Sequence, residues 1–260
     1  MSSSAGQTGT LLPRGQAIWM LARPALASLL TDPVVRAELE SARVYEILQA
    51  GQSPLPGVAA NLVATVSAVA DLSAALAGNQ LAAGTRAILY DTEAWTFTPA
   101  TEQGDPVQAT TTAAELAHAH GLQLIVSPAL DLMSVLAPGG AAPQWQQFLD
   151  LQLAAQLAKV ADIIELQAQS LERSPATYAA FLLEATAQAR AANPDVTVLA
   201  GLSTNPPGAV VDSQQLAAAI QASWPTVDGY WLNIPTPGPR CPTCNPPRPD
   251  VGIAAMRAVL

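Results

Sequence analysis

From Leu122 onward the chain repeats one pattern: a short apolar run, a loop marked by proline or glycine, then an alanine-rich stretch of helical period. The apolar runs are LQLIVS (Leu122 to Ser127), DIIELQ (Asp162 to Gln167), Val196 to Leu202 and GYWLNI (Gly229 to Ile234). The stretches Pro143 to Val160, Pro175 to Ala192, Ser213 to Ser223 and Val251 to Val259 read as helices, with Ser174 as an N-cap and Pro175 in the first turn. The units recur every ~30–40 residues, the length of a βα unit. Strands that alternate with helices form a parallel sheet with right-handed crossovers.

The first third is less regular. Ala17 to Leu21 and RAILYD (Arg86 to Asp91) read as strands, and Pro106 to Ala119 as a helix. RVYEILQ (Arg43 to Gln49) reads as a strand, although Pro33 to Gln49 also scans as a helix. Val58 to Ala77 is alanine-rich with a period near 3.6 and predicts a helix. About seven strands are readable, and this third has room for an eighth. An open nucleotide-binding sheet needs a glycine-rich turn after its first strand, and neither GxGxxG nor GxxxxGK[ST] occurs. The loops Thr96 to Pro106 and Pro235 to Pro249 are long and proline-rich instead. The reading is therefore an α/β chain forming a (β/α)8-like TIM barrel with an irregular N-terminal third. Residues 15–260 make a single barrel domain, and residues 1–14 a flexible polar segment without signal-peptide character.

Composition narrows the function. Half of the 260 residues are hydrophobic, 12% are charged, the net charge is −9, and Lys159 is the sole lysine. Such a surface repels phosphate backbones, which excludes general nucleic-acid binding. No apolar run reaches the ~18 residues of a spanning helix.

In a barrel, residues at C-terminal strand ends build the site. Asp91 and Glu93 end a strand at i, i+2, so their side chains share a face with Cα atoms ~6.5–7 Å apart. If Leu89 faces inward, so do both carboxylates. Two acids in a partly buried mouth repel, which raises one pKa and provides a general acid. Tyr90 and Trp95 adjoin them. In DIIELQAQ, alternation places Ile163, Glu165, Gln167 and Gln169 on one face. Glu165 lies mid-strand, where a network with Arg86 or Gln123 competes with a role as second acid. Gln167 and Gln169 lie at the mouth. Trp231 and Asn233 share a face and suit a polyol, the indole stacking and the amide bonding hydroxyls. Trp19 adds a wall. Glu102 and Asp105 read as solvated loop acids.

Cys241 and Cys244 form a C-P-T-C motif among prolines, where a thioredoxin-type helix start does not fit. The motif reads as a disulfide loop, a reduced thiol pair or half of a zinc site; a disulfide points to an oxidising compartment and an extracellular location. His118 and His120 lie at i, i+2 and cannot share a helix face. No metal and no cofactor is expected.

YDTEAWTFTPATEQGDP (Tyr90 to Pro106), IIELQAQ, NPDVTVLAGLST (Asn193 to Thr204) and GYWLNIP resemble the barrel-strand segments of glycoside-hydrolase-like TIM-barrel proteins of high-GC actinobacteria. The alanine-rich, lysine-poor composition is similar as well. The resemblance spans Arg86 to the C-terminus and implies a barrel that is secreted and acts on sugars. Carried over by position, its acid is Asp91 or Glu93. Glycosidases usually set two acids on opposite sides of the scissile bond, and here the later strand ends carry Gln167, Ser203 and Asn233. Three readings follow. In the first, the chain hydrolyses a glycosidic bond with Asp91, Glu93 and Glu165 as catalytic acids and Tyr90, Trp95, Gln167, Gln169, Trp231, Asn233 and Trp19 holding the substrate. In the second, a silent barrel binds a sugar or other small molecule. In the third, an isomerase or cyclase of secondary metabolism uses one acid of raised pKa.

Overall fold

The computed structural model describes residues 12–49, 51–206, 210–239, 241–244 and 246–260. Most of the segment expected over residues 1–14 lies outside these. Its end is anchored: Leu12 is buried and donates its N–H to the Val259 carbonyl at 2.8 Å.

The strands are β1 (Ile18–Ala22), β2 (Arg43–Leu48), β3 (Asn61–Val66), β4 (Thr85–Thr92), β5 (Gln123–Pro128), β6 (Ile163–Leu166), β7 (Thr197–Ser203) and β8 (Gly229–Asn233). They run parallel in chain order and close into a barrel where β8 pairs with β1. The closure is tight. A Cβ on Gly229 would overlap the Ile18 backbone, so only glycine lets these strands meet.

Two stretches of helical period carry the strands that were hardest to read, one of them read as a strand and the other as a single helix. Pro33 to Gln49 divides into a helix (Pro33–Ser41), capped by Asp32 through the N–H groups of Val34 and Val35, and then β2. Val58 to Ala77 divides into β3 and a helix (Val69–Ala77), which corrects the single-helix reading and supplies the eighth strand. A barrel strand is covered on both faces, so it lacks polar alternation, and a short apolar run resembles a helix segment by period alone. Val63, Thr65 and Val66 fit the pleated surface better than a helix.

Pro143 to Val160 is likewise two helices, Gln144–Asp150 and Leu153–Ala158, parted at Gln152 with φ of 51°. The helix Pro175–Ala192 spans the expected residues, but the Ser174 side chain does not cap it and its Oγ lies 2.9 Å from Thr177 Oγ1. Asp212 and Gln215 form a reciprocal capping box on Ser213–Ser223.

Alternation sorts the side chains into two cores. Met20, Tyr45, Ile47, Val63, Leu89, Ile125, Ile163 and Leu199 fill the barrel, with Trp231 packed on them. Trp19, Leu21, Ile88, Tyr90, Ile164, Leu166, Tyr230 and Leu232 join the larger core shared with the helices. Cys241 and Cys244 are joined by a disulfide with Cα atoms 5.4 Å apart. Among the described residues, no helix is long and apolar enough to cross a membrane.

Candidate active site

β4 carries the acids into the mouth. Ala87 and Leu89 pack inside the barrel, and Asp91 follows on the same face, paired in register with Ser127 of β5. Asp91 is 4% exposed, and Glu93, just beyond the strand, is half-buried. Neither stands in bulk solvent.

Behind them lies a buried polar network. Gln167 follows β6, and its Nε2 donates to Asp91 Oδ1 at 2.8 Å. The same nitrogen lies 3.0 Å from Ser127 Oγ and 3.1 Å from the Ser127 carbonyl. Ser127 Oγ donates to Glu165 Oε2 at 2.5 Å. Glu165 is fully buried, and burial pushes its pKa well above the usual carboxylate range. The Ser127 hydroxyl opposes that shift, while the charges of Asp91 and Glu93 add to it. Burial therefore favours the neutral form of Glu165. Its partner is Ser127, not Arg86 or Gln123. Gln123 instead lies 3.5 Å from the Tyr45 hydroxyl.

Three expected roles change with this geometry. Glu165 has no exposed surface and is bonded to Ser127, so it supports the site from behind instead of lining the mouth. Tyr90 points outward, fully buried among the helices, and donates its hydroxyl to Glu102 Oε2 at 2.6 Å. Trp19 also points outward, with its indole N–H on Glu38 Oε1 at 3.2 Å and its ring 5.6 Å from Tyr230. Both belong to strands whose alternation puts Met20 and Asp91 inside.

Glu102 is not a solvated loop acid. It accepts from Tyr90 and from the Val69 backbone N–H, tying the loop after β4 to its neighbours. The loop is braced further. Asp131 accepts from the Ala94 N–H at 3.0 Å, next to Glu93. Gln103 Nε2 bonds the carbonyls of Trp95 and Thr98, each at 2.7 Å. Trp95 donates its indole N–H to Thr98 Oγ1 at 2.8 Å, and its ring meets Phe97 edge-on at 5.0 Å. Phe97 is 40% exposed, so a fixed aromatic pair stands beside the acids.

The opposite wall comes from β7 and β8. Trp231 packs on the barrel interior beside Gly201, and Asn233 sits in register with Ser203. The Trp231 indole nitrogen is buried with no hydrogen-bond partner among the described residues. Gln169 lies over Gly201, where an added Cβ would come within 2.8 Å of its amide. A polar depression of about 560 Å³ opens at the other end of the barrel, among Arg43, Arg190, Thr197 and Asp228, away from these groups.

Ser127 enters the sequence reading only as the last residue of the LQLIVS run, although its register opposite Asp91 is the signal that marks it. Sequence reasoning missed Glu172, a fully buried carboxyl whose Oε2 accepts from the Ser203 N–H at 3.0 Å. Nothing in the local pattern separates Glu172 from a solvated loop acid. Among the described residues, no group of His, Cys, Asp and Glu is placed to hold a metal ion.

No protein-family model and no curated protein sequence matches the chain. Solved structures do. A chitinase from Chromobacterium violaceum is 14% identical with a TM-score of 0.51, over 94% of this chain and 98% of that one. A triosephosphate isomerase from Bartonella henselae is 12% identical with a TM-score of 0.45, over 84% of this chain and 92% of that one. The spore cortex-lytic enzyme SleL of Bacillus megaterium is 10% identical with a TM-score of 0.42, over 83% of this chain and 59% of that one. At such identities a likeness speaks for the fold and not for the chemistry. The chain is a closed (β/α)8 barrel, an architecture it has in common with a chitinase.

Proposed function

We propose that the barrel hydrolyses a glycosidic bond, with Glu93 as general acid and Asp91 as its ionised partner. The observation that carries this reading is the pairing of the two carboxyls at the C-terminal end of β4, Asp91 buried against Gln167 and Glu93 half-buried just beyond the strand. The facing strand ends bear Gly201, Ser203, Trp231 and Asn233, none of which is an acid. We take the nucleophile on the far face of the sugar to be the substrate's own. A 2-acetamido sugar supplies one in its own carbonyl oxygen, and sugars of that class fit the likeness to a chitinase.

The steps balance as follows. Glu93 gives its proton to the leaving oxygen as the glycosidic C–O bond breaks, and the acetamido oxygen bonds to the anomeric carbon. Asp91 stabilises the positive charge that develops on the ring and the acetamido group. Water then attacks the anomeric carbon, returns a proton to Glu93 and releases the acetamido oxygen. The indole of Trp231 and the Trp95–Phe97 pair offer apolar faces for sugar rings, and Asn233 offers an amide for hydroxyls. The disulfide in the last loop supports an extracellular setting.

The test is release of 4-methylumbelliferone from its β-glycosides of N-acetylglucosamine oligomers. Glu93→Gln is expected to lower kcat by about 10²–10⁴-fold, the usual worth of a general acid. Absence of turnover by folded wild-type protein on these and on non-acetamido glycosides would refute hydrolysis. The acid-free wall of aromatic and amide groups favours one other reading, a barrel that binds a sugar without cleaving it. Saturable calorimetric binding without turnover would establish that.

A further inference from the structure

Gln167 was expected to hold substrate, yet its amide is already committed. Its two N–H bonds face Asp91 Oδ1 at 2.8 Å and Ser127, whose Oγ is 3.0 Å away. The polarity of the chain is fixed by chemistry. An amide nitrogen can only donate, so Asp91 Oδ1 and Ser127 Oγ both accept from Gln167, whichever way the hydrogen between Ser127 and Glu165 lies. Gln167 thus donates in both directions, and Asp91 is an acceptor. Glu165 anchors the far end. It fits because β7 has Gly201 at this level, where an added Cβ would lie 2.5 Å from Glu165 Oε1.

We propose that Gln167 is the positioning residue that aims the Asp91 carboxylate into the mouth and keeps it ionised, an assignment that takes the role of Asp91 from the reading above. A carboxylate that accepts an amide N–H is stabilised in its charged form. Without that donor, two neighbouring acids favour its protonation. The titratable groups around this point are Glu93 from β4, Glu165 from β6 and Asp131 from the segment after β5. Tyr178, on the helix Pro175–Ala192, lies beyond Glu165. Burial disfavours charge on Glu165, so Glu93 is the group that competes most directly with Asp91 for the negative charge of the pair.

The experiment reads Asp91 without substrate. Protein labelled with ¹³C at the aspartate carboxyls is titrated by NMR, with the Asp91 signal assigned through Asp91→Asn. In Gln167→Met, of similar volume but without a donor, the Asp91 pKa is expected to rise by about one unit or more. Gln167→Glu, closer still in shape, is the second variant should Gln167→Met not fold, and the rise expected there is larger because a carboxyl then faces Asp91. An unchanged Asp91 pKa in a folded variant overturns the proposal, even if the melting temperature falls. Because no turnover is needed, an inactive barrel still gives the answer. If the barrel hydrolyses glycosides, the acid limb of kcat/KM moves to higher pH by the same amount. A rise in KM with an unmoved pH profile would return Gln167 to substrate binding and overturn the assignment.

Discussion

Glu172 shows how much a single carboxyl can weigh. It lies after β6 with no exposed surface, and burial pushes its pKa up to about 9 against a lowering by the Ser203 N–H. Its Oε1 has no hydrogen-bond partner among the described residues. In the unfolded chain it loses its proton near the ordinary carboxylate pKa. Between that value and about 9 the folded state therefore binds more protons, and stability falls as pH rises. One such group contributes a slope of about 1.4 kcal/mol per pH unit. Glu172→Gln, which mimics the protonated form, is expected to remove that slope. Urea denaturation of wild type and variant at several pH values checks it: the two should converge in acid and diverge in favour of the variant in base. Parallel curves would mean that Glu172 ionises without penalty. Glu165 adds a slope of the same sign, because its pKa is also raised by burial. Asp91 was legible because inward direction at the end of a strand follows from alternation alone. Tyr90, read as adjoining the acids, and Trp19, read as a wall, were misplaced because neither was carried through the alternation of its strand.

At the level of elements, strand type depended on which faces the fold covers. β4 and β7 stood out between proline and glycine, while β3 was hidden within an alanine-rich stretch whose neighbours are helical. β7 also carries a requirement of its own. Gly201→Ala would place a methyl group 2.5 Å from Glu165 Oε1 and 2.8 Å from the Gln169 amide. Gln169 has room to swing outward, whereas Glu165 is enclosed, so the variant is expected to lose about 1–3 kcal/mol. Urea denaturation measures the loss, and a neutral result would show that Glu165 can move. The Asp212 capping box offers a milder test at the same scale. Asp212→Ala should cost about 1 kcal/mol, read by the same method.

For the whole molecule, closure is the decisive event. β1 and β8 are separated by most of the chain, and their pairing depends on the backbone contact at Gly229. Gly229→Ala is expected to abolish folding to the closed barrel, seen as loss of soluble protein and of cooperative melting by circular dichroism; a normal melt would show that β8 can shift along β1. The sequence by itself determined the βα repeat, hence the parallel sheet, and the inward direction of Asp91, Glu165 and Gln167. These are matters of local period, which each segment carries in its own side chains. Only the tertiary structure decided that Ser127 links Gln167 to Glu165, that Glu165 is sealed, and that Tyr90 braces Glu102. Those facts depend on register between strands and on burial by distant helices. Both arise when the sheet closes, and no single segment encodes them.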